Sequence, residues 1–191
     1  MSDPTASAAV RLAAAVRRAL DAVRGAAPPS AHVRLAHVRQ GDWLCVPTCA
    51  ALVLDGYGDP RTPAEVKALA VASDPKFRGT YFRDLIAGLG TVGYRWREET
   101  FPVTEDGFSR GFRRLKRSLA GGRPVIVGLF DPPIGHAVVL AGYDDASGTV
   151  RVVDPLLESP GVLALSYAEF AERWRENVVE LRAAIFTRPR G

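Results

Sequence analysis

An α+β fold, helices first and an antiparallel sheet afterwards, is predicted by three features of this sequence. Up to Gly121-Gly122 the chain carries helix punctuation, of which Thr62-Pro63-Ala64-Glu65 is the clearest case: an N-cap, proline at the first helical position and an acid in the first turn. After it, runs rich in Val, Ile and Leu alternate with Gly, Pro and Asp turns, which is the grammar of strands. Third, 191 residues suffice for one domain with its own core. With 47% hydrophobic and 24% charged residues the composition is that of an ordinary soluble globular protein. The net charge of +4 comes from basic residues spread along the chain, a pattern that does not mark a nucleic-acid surface. No apolar run is long enough to span a bilayer and no signal peptide opens the chain, so no membrane partner is expected and the cytoplasm is the expected compartment. Cys45 and Cys49, four residues apart, make a poor disulfide framework and in a reducing compartment stay thiols.

In order along the chain, Thr5 to Arg24 reads as an Ala/Arg-rich helix, with Val10, Ala13, Val16, Leu20 and Val23 on one face; Gly25 to Ser30 reads as a linker. His32 to Val38 alternates as a half-buried strand would. Proline is tolerated only in the first turn of a helix, so Pro47 places a helix start at about Val46 and the helix runs to Leu54. Further helices are expected from Thr62 to Val71, Arg83 to Leu89, Phe108 to Ala120 and Ser166 to Arg175. Strands are expected over Tyr94 to Phe101, Pro124 to Phe130, His136 to Tyr143, Val150 to Val153 and Val178 to Phe186.

The helix start places Cys45 at or near an N-cap, where unpaired N–H groups and the positive end of the helix dipole favour a thiolate. A small buried structural cysteine is the other reading of this stretch, and Cys49, one turn further into an apolar helix, reads as core. A nucleophile needs a base. Of the three histidines, His32 and His37 lie on the early strand, whereas His136 stands where a loop enters the sheet, at the rim where sites are built. The turn Asp144 to Gly148 folds the strand from His136 back on Val150 to Val153, and counting outward from a tip near Asp145 puts Asp154 across from His136 within a residue or two. Asp131 shares a loop with His136 but has no enforced pairing, and Asp154-Pro155 can also be read as a strand-ending turn. Nucleophile, base and orienting acid together are the logic of covalent acyl transfer.

The order Gln40, Cys45, "GHAVVLAGYD", "VDP" resembles papain-like cysteine peptidases, and among them the bacteriocin-leader (double-glycine) peptidases, cysteine peptidase family thirty-nine. The likeness covers about Val33 to Phe186: "CVPTCAALVLDGYG" resembles the family's nucleophile helix, "GRPVIVGL" its strand before the histidine, and "YAEFAERW" its closing helix. It implies a papain-like fold in which N-terminal helices, the nucleophile helix among them, pack on a C-terminal antiparallel β-sheet. The domain would span residues 31–191, after an appended helix and linker over 1–30. The resemblance also assigns roles: Cys45 as nucleophile, His136 as general base and acid, Asp154 as its orienter and Gln40 as side-chain donor to the oxyanion. Two departures stand out. Four residues separate Gln40 from Cys45 where five are usual, and Val46 replaces the glycine that commonly follows the nucleophile.

The resemblance and the residues together predict a cysteine peptidase or amidase that forms a thioester acyl-enzyme on a peptide or amide and needs no cofactor and no metal. The same triad with water excluded would make an acyltransferase or cyclase acting on a carrier-protein or peptidyl thioester. A domain that has lost catalysis and only binds leader peptides is the third reading. Relatives are usually fused to a transporter; without membrane segment or ATP-binding motif, this chain is expected to work alone or in trans.

Overall fold

The computed structural model describes residues 27–90, 93–131, 134–175 and 181–189, and the helix expected over Thr5 to Arg24 lies outside the described residues. Helix α1 (Cys45–Gly56) is apolar all round, and Val46 to Leu54 are all buried, as such a helix must be when it lies between two layers. On one side it meets α2 (Pro63–Leu69) and α3 (Phe82–Leu89), on the other the sheet. Helix α2 starts as its sequence predicts. Thr62 accepts the Glu65 N–H while the Glu65 carboxylate accepts the Thr62 N–H, a reciprocal cap contributing about 1 kcal/mol. Helix α4 (Glu105–Ala120) begins ahead of the expected Phe108, because Thr104 caps it by accepting the Gly107 N–H at 3.0 Å.

The strands are β1 (Ser30–His32), β2 (Tyr94–Pro102), β3 (Val125–Asp131), β4 (Ile134–Asp144), β5 (Thr149–Val153), β6 (Val162–Ser166) and β7 (Leu181–Pro189). They form one antiparallel sheet in the order β2-β7-β3-β4-β5-β6, and β1 pairs with β4 beyond the end of β3. Ala137, Val139 and Ala141 of β4 pack with α1, whereas Val138 and Leu140 pack with α4 and α5 (Tyr167–Arg173) on the other face. Helices therefore cover both faces. That is why these strands read as continuous apolar runs rather than as an alternation.

Two expectations are corrected. The strand predicted over His32 to Val38 is reduced to Ser30–His32. Val33, Leu35 and His37 keep the inward phase, but beyond the Val33 N–H, which donates to the Ala141 carbonyl at 2.7 Å, the segment has no ladder: alternation reported one-sided burial, not a neighbour. Strand β6 was not expected, since only Leu165 of its five residues is buried and no period-2 signal results.

Part of the segment read as a linker is docked. Ala27 packs in the second core, the Pro28 carbonyl accepts the Tyr143 hydroxyl at 2.6 Å, and the Pro29 carbonyl accepts the Asp145 N–H at 2.8 Å. Deleting residues 1–26 is expected to leave cooperative melting intact. Deleting 1–29 removes two hydrogen bonds of about 1 kcal/mol each and should lower the calorimetric midpoint by about 5 °C. Loss of a cooperative transition in the shorter deletion would make residues 1–26 part of the core.

Candidate active site

Cys45 is the first residue of α1, and the chain turns sharply to place it there. The Gly41 carbonyl accepts the Leu44 N–H at 3.2 Å, and Trp43, with φ 63°, is the one non-glycine residue in the left-handed region among the described residues. That conformation costs about 1 kcal/mol. The Arg78 guanidinium lies 5.3 Å from the Trp43 ring and braces it. Leu44, at the N-cap, offers no capping side chain, and the first turn carries no acid. The positive helix end is thus not neutralised by its own cap or first turn and favours an anion on Cys45.

His136 and Asp154 come together through the β4–β5 hairpin, as its turn predicts. Pairs run from Asp144↔Thr149 to Gly142↔Arg151, then shift by one residue to Leu140↔Val152 and Val139↔Val153. The bulge at Ala141 decides the outcome. Without it the turn would set Asp154 opposite Val139, out of phase with His136; with it Asp154 falls opposite Val138, two residues from His136 and in the same alternation. His136 Nε2 lies 2.6 Å from Asp154 Oδ1, and that oxygen also accepts the Leu156 N–H at 2.8 Å. The same imidazole interacts with Cys45, and each group shifts the titration of the other. One turn further in, the Cys49 thiol donates to the Ala137 carbonyl at 3.2 Å and ties α1 to the start of β4.

Burial pushes the Cys45 thiol up, but hydrogen bonds from His136 and from the backbone of Ala137 and Val46 outweigh it, and the thiol lies below its ordinary value. Burial also lowers His136, yet bonds to Asp154 and Cys45 raise it to about 9. Asp154, pushed up by burial, is brought below the usual carboxylate range by His136 and the Leu156 N–H. Cys49, completely buried, is raised well above an ordinary thiol. The lowered thiol and the raised imidazole both favour a thiolate–imidazolium pair over the neutral one.

A supporting layer escaped the sequence reading. His37 Nε2–H donates to the Asp154 carbonyl at 3.1 Å, and a Cβ on Gly161, whose φ is +61°, would come within 1.9 Å of that ring. The loop after Asp154 folds back, the Asp154 N–H bonding the Gly161 carbonyl at 2.8 Å, and Arg39 pairs with Glu158 at 2.5 Å. The Gln40 N–H donates to the Pro155 carbonyl at 2.8 Å. Gln40 is therefore anchored on the acid's own loop. Its Oε1 is buried without a partner, and no bond from its amide to Cys45 or His136 is present among the described residues. The inward phase of His37 was the available signal; its target, a backbone carbonyl 117 residues away, had none.

A model of the Peptidase_C39 like family matches residues 33–179. The peptidase domain of Streptococcus ComA, a bi-functional ABC transporter involved in a quorum sensing pathway, superposes with a TM-score of 0.60 at 21% identity, covering 83% of this chain and 100% of that one. A double glycine motif protease from an AMS/PCAT transporter, solved in complex with the leader peptide, gives 0.61 at 15% identity over 84% and 95%. UfSP from C. elegans gives 0.56 at 15% identity over 85% of this chain and 34% of that one. No curated protein matches the chain. At such identities the structural likeness shows the fold, that of papain-like cysteine peptidases.

Proposed function

The chain belongs to the Peptidase_C39 like family, and on that premise we propose a cysteine peptidase or amidase working through Cys45, His136 and Asp154. The Cys45 thiolate attacks the carbonyl carbon of a peptide or amide. The Cys45 N–H and the Gln40 side-chain amide stabilise the oxyanion, and His136 gives its proton to the leaving amine. Water then adds to the thioester, His136 takes a proton from it, and Cys45 leaves as thiolate. The observation that carries this reading is the 2.6 Å bond between His136 and Asp154, with the Cys45 thiol lowered by His136 and the imidazole raised.

Family membership supports a peptide substrate, and a leader peptide is the partner seen in the AMS/PCAT structure. Exposed Trp43 and Leu156, each two residues along the chain from Cys45 and Asp154 respectively, offer apolar contact to such a segment. No helix among the described residues is long and apolar enough to cross a membrane. We assign the protein to the cytoplasm, where both free cysteines remain thiols.

Intact mass after incubation with candidate peptides and acyl thioesters tests the proposal. Expected are cleaved peptide and, after acid quench, an acyl increment on Cys45 that Cys45→Ala lacks. Transfer of the acyl group to an added amine with no free acid formed would replace hydrolysis by acyl transfer. Unmodified protein with every substrate and no turnover would leave the binding-only reading.

A further inference from the structure

A second site lies at the far end of the sheet. Residue Asp131 of β3 pairs with Ile134, beside His136, whereas the opposite end of β3 begins at Val125, paired with Phe186; β7 runs on to Pro189, which pairs with Tyr94. At that end a groove of about 670 Å³ is lined, among the described residues, by Arg95, Arg97, Arg114, Arg123 and Arg188 with a single carboxylate, Glu99. The carboxylate is already engaged. Arg114 holds it through Nε and Nη2 at 3.0 to 3.3 Å, and Arg97 approaches only to 4.0 Å. Arg95 and Arg188 are direct cross-strand partners in the β2–β7 register, where like charges cost stability. Trp96, which also lines the groove, has its Nε1 buried without a partner among the described residues.

Charges on an edge strand commonly block aggregation, and β2 is the edge strand here. Protection of that kind calls for charge on β2 alone. It does not explain a second arginine directly opposite on β7, nor a groove with four cations in excess of its carboxylate. Phosphate sites generally use a helix N-terminus, but the helix lining this groove with Arg114 and Ser118, α4, brings its C-terminal half. Two features favour an extended peptide instead. Arg95 and Arg97 share one phase of a strand whose outer edge has no strand partner among the described residues, and guanidinium forks match carboxylates in pairs.

We propose that the groove and the open edge of β2 bind an acidic polypeptide segment, added as a further strand with carboxylates at alternate positions facing Arg95 and Arg97. The backbone of β2 supplies main-chain hydrogen bonds and the arginines select charge. The site is independent of Cys45, lying at the other end of the sheet.

The test uses the full chain carrying Cys45→Ala, so that nothing is cleaved, with a fluorescent peptide alternating Glu and Val and a control alternating Gln and Val. The Glu peptide is expected to bind, to weaken steeply with added salt, and to lose about tenfold in affinity in the Arg95→Gln/Arg97→Gln double variant, each exposed ion pair being worth a factor of about two to five. In the unliganded protein, Arg188→Gln alone should raise the melting midpoint, because it relieves the Arg95–Arg188 repulsion. With Cys45 intact, the double variant should be alkylated at the wild-type rate, which separates failure of this site from failure of the peptidase reading. Equal binding of the two peptides, an unchanged affinity in the double variant, a lowered midpoint in Arg188→Gln, or tighter binding of an oligonucleotide of equal charge would each overturn the proposal.

Discussion

With His136 replaced by alanine, Cys45 is expected to lose its reactivity at low pH and the protein its turnover. In the wild type the thiol sits below its ordinary value although burial opposes this, because imidazolium at His136 and the N–H groups of Ala137 and Val46 stabilise the thiolate. Alkylation by iodoacetamide should therefore rise with pH at a midpoint under the free-thiol value of about 8.5 and persist into alkali. Turnover should be bell-shaped. It rises as Cys45 loses its proton and falls as His136 loses its own at about 9, since a neutral imidazole cannot protonate the leaving amine while the thiolate remains. In His136→Ala the largest opposing influence, burial, acts against a weaker set of donors, and the alkylation midpoint moves upward. Turnover should fall by about 10³-fold or more with the loss of general acid–base catalysis. Cys49 is fully buried and raised well above an ordinary thiol, so it should stay unlabelled in both proteins. An unmoved midpoint, or equal labelling of Cys45 and Cys49 in the folded wild type, would remove Cys45 as an activated nucleophile.

How much of this site local sequence could show depends on the range of the interactions involved. Pro47 is confined to a first turn by its missing N–H, so the helix start and the position of Cys45 were legible from a few residues. A hairpin is also local, and counting from its turn reached the carboxylate that bonds His136. The bulge at Ala141 that sets the phase of Asp154 was not legible. It is stabilised from outside the hairpin, where Gly142 lets β1 approach so closely that a Cβ would lie 2.7 Å from the Ala31 carbonyl. His37 reaching the Asp154 carbonyl, and Arg95 meeting Arg188, depend on packing and strand pairing between distant segments. Neither leaves a periodic trace. The strained Trp43 runs against local preference, and sequence reasoning is expected to fail where a site imposes such a conformation.

Substitutions at Asp154 should separate the geometric part of the triad from its charge. The side chain is 8% exposed, and a single oxygen, Oδ1, faces both His136 Nε2 and the Leu156 N–H. In Asp154→Asn an amide oxygen at that place can accept both bonds, so ring orientation is retained and only the negative charge is lost. The charge is part of what lifts His136 to about 9; its loss should move the alkaline limb of turnover downward and reduce the rate by about ten- to a hundredfold. Asp154→Ala removes orientation as well, freeing the imidazole and leaving the Leu156 N–H unpaired, and should cost about 10³-fold. Asp131, whose backbone pairs with Ile134 at the end of the β3–β4 hairpin, is the competing acid by sequence, and Asp131→Asn should leave turnover within about twofold of wild type. Steady-state kinetics of the three variants across pH, with cooperative melting as the control for folding, settles the ranking. Equal losses in Asp154→Asn and Asp154→Ala would make charge the whole contribution of this residue. A greater loss in Asp131→Asn than in either Asp154 variant would move the orienting acid to the loop before His136, and the hairpin would then merely support the histidine.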